Sequence, residues 1–319
     1  MDKISIIVPC YNEEQVLLMF YQETEKVVRE IETAECEFIF IDDGSRDHTA
    51  DILESLVYKD KRCKYLSFSR NFGKEAAMYA GLQHASGDYC VFMDADLQHP
   101  PSLLKEMYEV LKNEGYDCCA GFREDRDGEG KVRNFLSRSF YKVINKLCDL
   151  NMSDGAGDFR MMNRAMADSI LEFKEYNRYM KGIFSFIGFD TKWIPFHNVE
   201  RAAGDSKWNF KSLFRYALDG IFSFSTAPVT LAGTTGIILL AIAALLGITA
   251  AVKAVFLGSS ISGIMLIVLL ILVLNGIQLL FISVLGQYVS KDYMETKRRP
   301  LYIVKREEGF SKRNKQQIP

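Results

Sequence analysis

The sequence of 319 residues predicts an α/β domain with a mostly parallel sheet, followed by a hairpin of two membrane-spanning helices. Three observations carry this prediction. Apolar β-branched runs alternate with helix-period segments through the N-terminal third, and each run stops at a proline or an acid. Charge also vanishes from one long stretch near the C-terminus: Lys253 is the only charged residue among the 71 from Gly220 to Ser290, in a chain that is 25% charged. Such a division excludes a disordered chain and an ordinary soluble protein. A net charge of −2 with no separate basic domain excludes a basic nucleic-acid binder, so no nucleic-acid partner is expected.

The first strand is expected over residues 4–8, where Ile4, Ile6, Ile7 and Val8 run up to Pro9. The second covers 37–41 and stops at Asp42 and Asp43; the third covers 89–93 and stops at Asp94. Helix-period segments over 14–30 and 49–58 separate them. Strands apolar on both faces and joined by helices of this length indicate a parallel sheet. Ligands of such sheets bind beyond the carboxyl ends of the strands, which here carry acids. There is no G-x-G-x-x-G after the first strand and no Walker-type loop, so a dinucleotide or P-loop site has little support. The N-terminus enters the first strand without a signal peptide, and all seven cysteines lie in the first half with no C-x-x-C pair. Buried, reduced thiols of a cytosolic domain are expected.

Two apolar stretches, about 229–252 and 264–289, each exceed the ~20 residues that a helix needs to cross ~30 Å of hydrocarbon. Their short, almost uncharged connection makes a hairpin, so both flanks share one side. Residues 291–315 hold nine basic and four acidic residues, and basic flanks stay cytoplasmic. The expected organisation is a cytosolic catalytic domain over 1–208, a juxtamembrane amphipathic helix over 209–227, two spans within 228–290 and a basic cytosolic tail over 291–319. Localisation would be the cytoplasmic membrane, with both termini in the cytosol. A second amphipathic stretch, 131–148, carries Val132, Phe135, Leu136 and Phe140 on one face, with Arg133 and Arg138 on others. Basic amphipathic helices of this kind can lie in a membrane interface or pack on a core. Asn275 and Gln278, one turn apart in the second span, fit a helix–helix contact.

The most informative residues are Asp94, Ala95, Asp96, Leu97 and Gln98. Two carboxylates one residue apart, just past a buried strand, can reach a single hard cation such as Mg²⁺ or Mn²⁺. Alone, D-x-D also occurs in loops and helix caps. Its company is more specific: Pro9-Cys10-Tyr11-Asn12-Glu13, Asp42-Asp43-Gly44-Ser45, and Arg70-Asn71-Phe72-Gly73-Lys74. As a set these blocks resemble family-2 glycosyltransferases of the GT-A fold, which bind nucleotide sugars. In spacing they are similar to the group acting on polyprenyl phosphates, which includes dolichol-phosphate-mannose synthase and bacterial undecaprenyl-phosphate glucosyltransferases. The resemblance runs from about residue 4 to the C-terminus and includes the hairpin.

That resemblance implies a GT-A domain and a set of roles. Pro9, Tyr11, Asn12 and Glu13 would line the nucleotide pocket, and Asp43 would hold the uracil or ribose. Gly73, Lys74, Ala95 and Arg123 would complete the donor site, with Arg201 and Lys207 closing on the diphosphate. Asp94, Asp96 and Gln98 would hold Mg²⁺ or Mn²⁺. Asp158, in the block Gly157-Asp158-Phe159-Arg160, would be the catalytic residue, in the position of the family's proposed base, and Arg133, Arg138 and Arg215 would attract the acceptor phosphate. A phosphate monoester with a second pKa of ~6 is mostly a dianion at neutral pH, so Asp158 would orient the acceptor, take a residual proton or support charge at the sugar carbon. The histidines at 48, 84, 99 and 197 share no metal spacing and are expected to be structural. The implied reaction is inverting transfer of a sugar from a UDP-sugar, with glucose first and N-acetylglucosamine second, to undecaprenyl phosphate. Membrane lipids are further partners, and a homo-oligomer is compatible with the membrane helices. A processive polysaccharide synthase is disfavoured by two spans and the absence of Q-x-x-R-W; a non-catalytic membrane scaffold would not keep every acid block, and a transporter would put more polar residues in the membrane than Asn275 and Gln278.

Overall fold

A computed structural model describes residues 1–123, 156–196 and 263–310, with Ser225 and single positions between 228 and 256. Among these, eight strands form one sheet: β1 (Asp2–Cys10), β2 (Ala34–Asp42), β3 (Cys63–Phe68), β4 (Tyr89–Phe92), β5 (Cys118–Arg123), β6 (Ala156–Asn163), β7 (Thr191–Phe196) and β8 (Val304–Glu308). The strand order is β7-β5-β6-β4-β1-β2-β3-β8. Strands β4, β1, β2 and β3 run parallel, as do β5 and β7. The antiparallel members are β6, between β4 and β5, and β8, along β3.

Helices α1 (Leu17–Arg29), α2 (Thr49–Lys59) and α4 (Leu103–Asn113) cover one face; α3 (Lys74–His84), α5 (Arg164–Glu172) and α6 (Met180–Phe186) cover the other. The strand period of two decides which side chain meets which layer. Ile4, Ile6 and Val8 of β1 and Phe38 and Phe40 of β2 enter the first core, while Ile7, Ile39 and Ile41 enter the second. Both faces are therefore apolar, which is why these strands read as continuous runs. α3 lies close on the sheet because Gly81 has no side chain: a Cβ there would stand 2.2 Å from Ile7 Cγ2. Cys10, Cys36, Cys63, Cys90, Cys118 and Cys119 are free and buried; Cys148 lies outside the described residues.

At the edge of the sheet remote from the acids, buried Glu37 bonds Lys3 and Lys64, each at 2.7 Å, together with Ser5 and Ser86. Burial alone would raise its pKa, but Lys3, Lys64 and Ser5 outweigh it and hold the carboxyl down to about 2. The stability this gives is present above the ordinary glutamate range and is lost as pH falls through about 2. Glu37→Ala strands two ammonium groups and is expected to cost about 3 kcal/mol in urea unfolding. An unchanged midpoint would refute this role.

α7 (Gly263–Thr296) is 34 residues long and covers the second expected span. Over Val273–Thr296 it is long and apolar enough to cross a membrane, with mean hydropathy 1.4, and none of its apolar stretch is buried. Asn275 donates to the Ile271 carbonyl of its own helix at 2.8 Å, so this polar group is satisfied within the helix. The first expected span, 229–252, lies largely outside the described residues; the positions described within it are helical. A two-helix hairpin therefore does not follow from the described residues. Stretches 131–148 and 209–224 lie outside them entirely. What reads as a basic tail after residue 291 is in part β8, which returns the chain to the sheet beside β3.

Candidate active site

The four parallel strands end along one edge, and the loops leaving them are laced together by side chains that bond backbone. Asn12, at φ 53°, accepts Arg46 N on its Oδ1 at 2.9 Å and donates its own amide to Ser45 Oγ. Glu13 N donates to Thr49 Oγ1 at 2.8 Å, and Asp42 accepts Ser45 N and Ser67 Oγ. Gly44, at φ +69°, lies on the 69–73 loop, where a Cβ would stand 2.5 Å from the carbonyl carbon of Arg70. Pro9, Tyr11 and Glu13 are half-buried at this rim and Asn12 is exposed.

Asp43 is buried, and its two oxygens accept Phe72 N at 2.6 Å and Gly73 N at 2.9 Å. It thus fixes the β3–α3 loop. Burial is the largest influence on it and, despite both amides, pushes the carboxyl up to about 6. Its ionised form accepts both amides, and a proton withdraws one acceptor. The 69–73 loop is therefore expected to loosen as pH drops through about 6. Asp43→Asn should leave a looser loop without that step. Hydrogen exchange of the 69–74 peptide, corrected for the intrinsic pH dependence of exchange, checks it at several pH values, and a flat wild-type profile would contradict it.

Lys74 opens α3 and points into the centre of the site. Its Nζ lies 2.7 Å from Asp94 Oδ1 and 2.8 Å from Asp158 Oδ2. Strand register explains why these acids meet. β6 runs antiparallel to β4 with Arg160 opposite Phe92, so Asp158 and Asp94 each lie two residues beyond that pair at one edge. Burial alone would lower Lys74, yet Asp158 and Asp94 outweigh it and hold the ammonium above its ordinary range. Burial alone would raise Asp158, but Lys74, Lys181 and Arg160 outweigh it and keep the carboxylate ionised well below its usual range.

The D-x-D loop turns sharply at Leu97, which takes φ 59°, and Gln98 N donates to Asp96 Oδ1 at 3.1 Å. Non-glycine residues held in this region are strained and cluster at functional sites. Ala95 is buried beneath the loop. Carboxylates at Asp94 and Asp96 are the hard oxygen donors that a divalent cation takes, and Asp94 already accepts a cation, the Lys74 ammonium. Among the described residues no three His, Cys, Asp or Glu side chains cluster as a ready metal cage. Mg²⁺ is commonly bound through one or two carboxylates together with substrate phosphates and water.

His99 is expected to be structural, and it packs on the strand that carries Asp158. Its ring stacks on Phe159 at 4.9 Å and meets Phe196 edge-on, and its buried Nδ1 has no hydrogen-bond partner among the described residues. Burial, the largest influence, keeps the imidazole below its ordinary pKa. Arg160 was overlooked: it is buried over the Phe184 ring at 3.6 Å and donates to the Gly157 carbonyl, steadying the strand that carries Asp158. The signal in the sequence for both is that each stands within three residues of a motif acid. Arg123 ends β5 opposite Phe196. Arg133, Arg138, Arg201, Lys207 and Arg215 lie outside the described residues.

Residues 5–171, more than half of the chain, match the family described as Glycosyl transferase family 2. The protein belongs to that glycosyltransferase family. Relatives align along nearly the whole chain. The CsbB protein of Bacillus subtilis (strain 168) is 43% identical over 302 residues, covering 95% of this chain and 91% of its own. A bactoprenol glucosyl transferase of Shigella phage SfV is 39% identical, covering 96% and 99%. A prophage bactoprenol glucosyl transferase homolog of Escherichia coli (strain K12) is 38% identical, covering 95% and 99%. Among solved structures, glucosyl-3-phosphoglycerate synthase of Mycobacterium tuberculosis, in complex with Mn²⁺, UDP-glucose and phosphoglyceric acid, covers 69% of this chain and 78% of its own. At 20% identity and a TM-score of 0.45 it is too distant to carry a substrate or metal to this glycosyltransferase.

Proposed function

We propose that this family-2 glycosyltransferase moves glucose from UDP-glucose to the phosphate of a membrane polyprenyl phosphate, with inversion at the anomeric carbon. The observation that carries the reading is the Lys74 ammonium joining Asp94 and Asp158 at the carboxyl edge of the sheet. The sugar and the lipid come from the names of relatives that match almost end to end. In this reading Asp43 and the loops after β1, β2 and β3 form the nucleotide side, with Pro9, Tyr11, Asn12, Glu13 and Gly73 around the base and ribose. Asp94, Asp96 and Gln98 are the residues that would hold Mg²⁺ or Mn²⁺. A divalent ion bound there supplies charge neutralisation for the diphosphate.

The chain's own residues do the rest. Lys74 keeps a positive charge beside the leaving diphosphate while tying the donor side to Asp158. The lipid phosphate, largely a dianion, attacks the anomeric carbon as the bond to UDP breaks. Asp158, being ionised, cannot donate a proton; it orients the acceptor and supports positive charge growing on the sugar. Arg123, Arg201 and Lys207 are proposed for the diphosphate, and Arg133, Arg138 and Arg215 for the acceptor phosphate.

Such an acceptor requires a site held against a bilayer. We infer a two-span hairpin in the cytoplasmic membrane with the catalytic domain and both termini in the cytosol. Supporting it, Tyr288 near the end of α7 donates to the carbonyl of Ser225, a residue that precedes the first apolar run in sequence. After α7 the chain rejoins the sheet through β8, so the end of that helix and the sheet share one side. The test offers purified protein undecaprenyl phosphate, Mn²⁺ or Mg²⁺, and UDP-glucose, UDP-N-acetylglucosamine, UDP-galactose or GDP-mannose separately. Glucolipid by mass spectrometry with UDP-glucose alone is the expected result. Another productive donor would replace the sugar, nucleotide release without glycolipid would reject the lipid acceptor, and no release at all would favour a scaffold.

A further inference from the structure

The 69–73 loop is gripped from two sides. On one side Asp43 accepts its Phe72 and Gly73 amides. On the other stands the chain that follows α7. Ser69 N donates to the Ile303 carbonyl at 2.9 Å, and β8 then pairs with β3 from Val304 opposite Phe68 to Glu308 opposite Tyr65. Tyr302 stacks on Phe68, centroids 4.9 Å apart and planes 19° apart, and its hydroxyl donates to Gln83 Oε1 of α3 at 2.6 Å. Phe68 in turn meets the Phe72 ring edge-on at 5.8 Å. Phe310 closes the segment against His84, with the Lys64 ammonium over its ring.

A solvent-facing edge strand of mostly charged residues gains little from burying its side chains. The specific contacts of this segment converge instead on Phe68, Ser69 and α3, the elements that enter and leave the loop before Lys74. We propose that residues 301–310 are a strap that positions the nucleotide-sugar site, with Tyr302 as the positioning residue that holds the β3–α3 loop through Phe68. The proposal rests on the donor-site reading above. It makes the end of the apolar helix part of the site's scaffold, because only residues 297–300 separate α7 from the strap, and Glu295 in its last turn accepts Tyr176 N at 2.7 Å.

The test uses full-length protein in detergent, as wild type, Tyr302→Phe and Tyr302→Ala. Two readouts are taken: hydrogen exchange of the 69–74 peptide without ligand, and equilibrium binding of UDP-glucose with steady-state kinetics. Tyr302→Phe keeps the stack and loses only the bond to Gln83, so it should lie closer to wild type than Tyr302→Ala in both readouts. Tyr302→Ala should exchange faster over 69–74 and bind UDP-glucose about tenfold more weakly, the scale of one lost aromatic pair. KM for the donor should rise more than kcat falls. Wild-type affinity in a folded Tyr302→Ala protein, or unchanged exchange, would overturn the proposal. If Tyr302→Ala does not fold, Tyr302→Leu, which keeps an apolar cover without the ring, is judged by the same criteria. If wild type binds no nucleotide sugar while the loop still loosens in the variant, the donor-site reading has failed and the positional role falls with it. That outcome is distinct from a strap that has no hold on the loop.

Discussion

Asp158→Asn is expected to lower kcat for transfer to the lipid by about a hundredfold or more, the usual scale for a group acting on the reacting atoms. UDP-glucose affinity should change far less. Asp158 sits at the start of β6, is kept ionised by Lys74, Lys181 and Arg160, and shares the Lys74 ammonium with Asp94. An asparagine has nearly the same shape, so the Phe159 stack on His99 and the Arg160 bond to Gly157 should survive. The melting temperature then reports whether the fold is intact. The loss should not be recovered by raising pH, because the missing group is a charge and not a proton. Retention of more than about a tenth of wild-type kcat would remove Asp158 from the reaction.

The second large effect is at the D-x-D loop. Asp94→Asn takes away one of the two carboxylates that hold Lys74 and one of the two proposed for the cation. It should abolish measurable turnover, a loss of at least about a hundredfold, and also weaken UDP-glucose binding. Asp96→Asn leaves the Lys74 bridge in place and should act through the cation alone. Its activity should therefore need far more Mn²⁺ and recover in part when the ion is raised. Kinetics over a Mn²⁺ series separate the two. Retained activity in both variants with a chelator present would eliminate the cation role.

Much of the central fold was legible because its strands are buried on both faces. Runs at 4–8, 37–41 and 89–93 lie within or beside β1, β2 and β4, and the segments at 14–30 and 49–58 contain α1 and most of α2. β8 left no such trace. Its Val-Lys-Arg-Glu-Glu sequence pairs through backbone at an edge and keeps its side chains in solvent, so it carries no apolar signal and passes for a tail. The reversal of β6 was equally hidden, since a strand's direction is a property of its connections and not of its residues. It is nevertheless what delivers Asp158 to Asp94. Within the site, motif residues were visible as types in order, but the bond network was not. Asp43, expected to face the nucleotide, spends both oxygens on the amides of the next loop. Lys74, expected as one donor-site residue among several, links the two acids. His99, read as structural and not as a ligand, stacks on an aromatic from a distant strand, a contact that histidine spacing does not reveal.

The most direct test is a structure of the full-length protein with UDP and Mn²⁺ in lipid nanodiscs. The expected result is the diphosphate beside Lys74, Mn²⁺ on Asp94 and Asp96, and Asp158 facing the space where the sugar carbon would stand, on the membrane side. Nucleotide bound elsewhere on the sheet, or Mn²⁺ held without either carboxylate of the D-x-D loop, would contradict the assignment of this edge as the place of transfer.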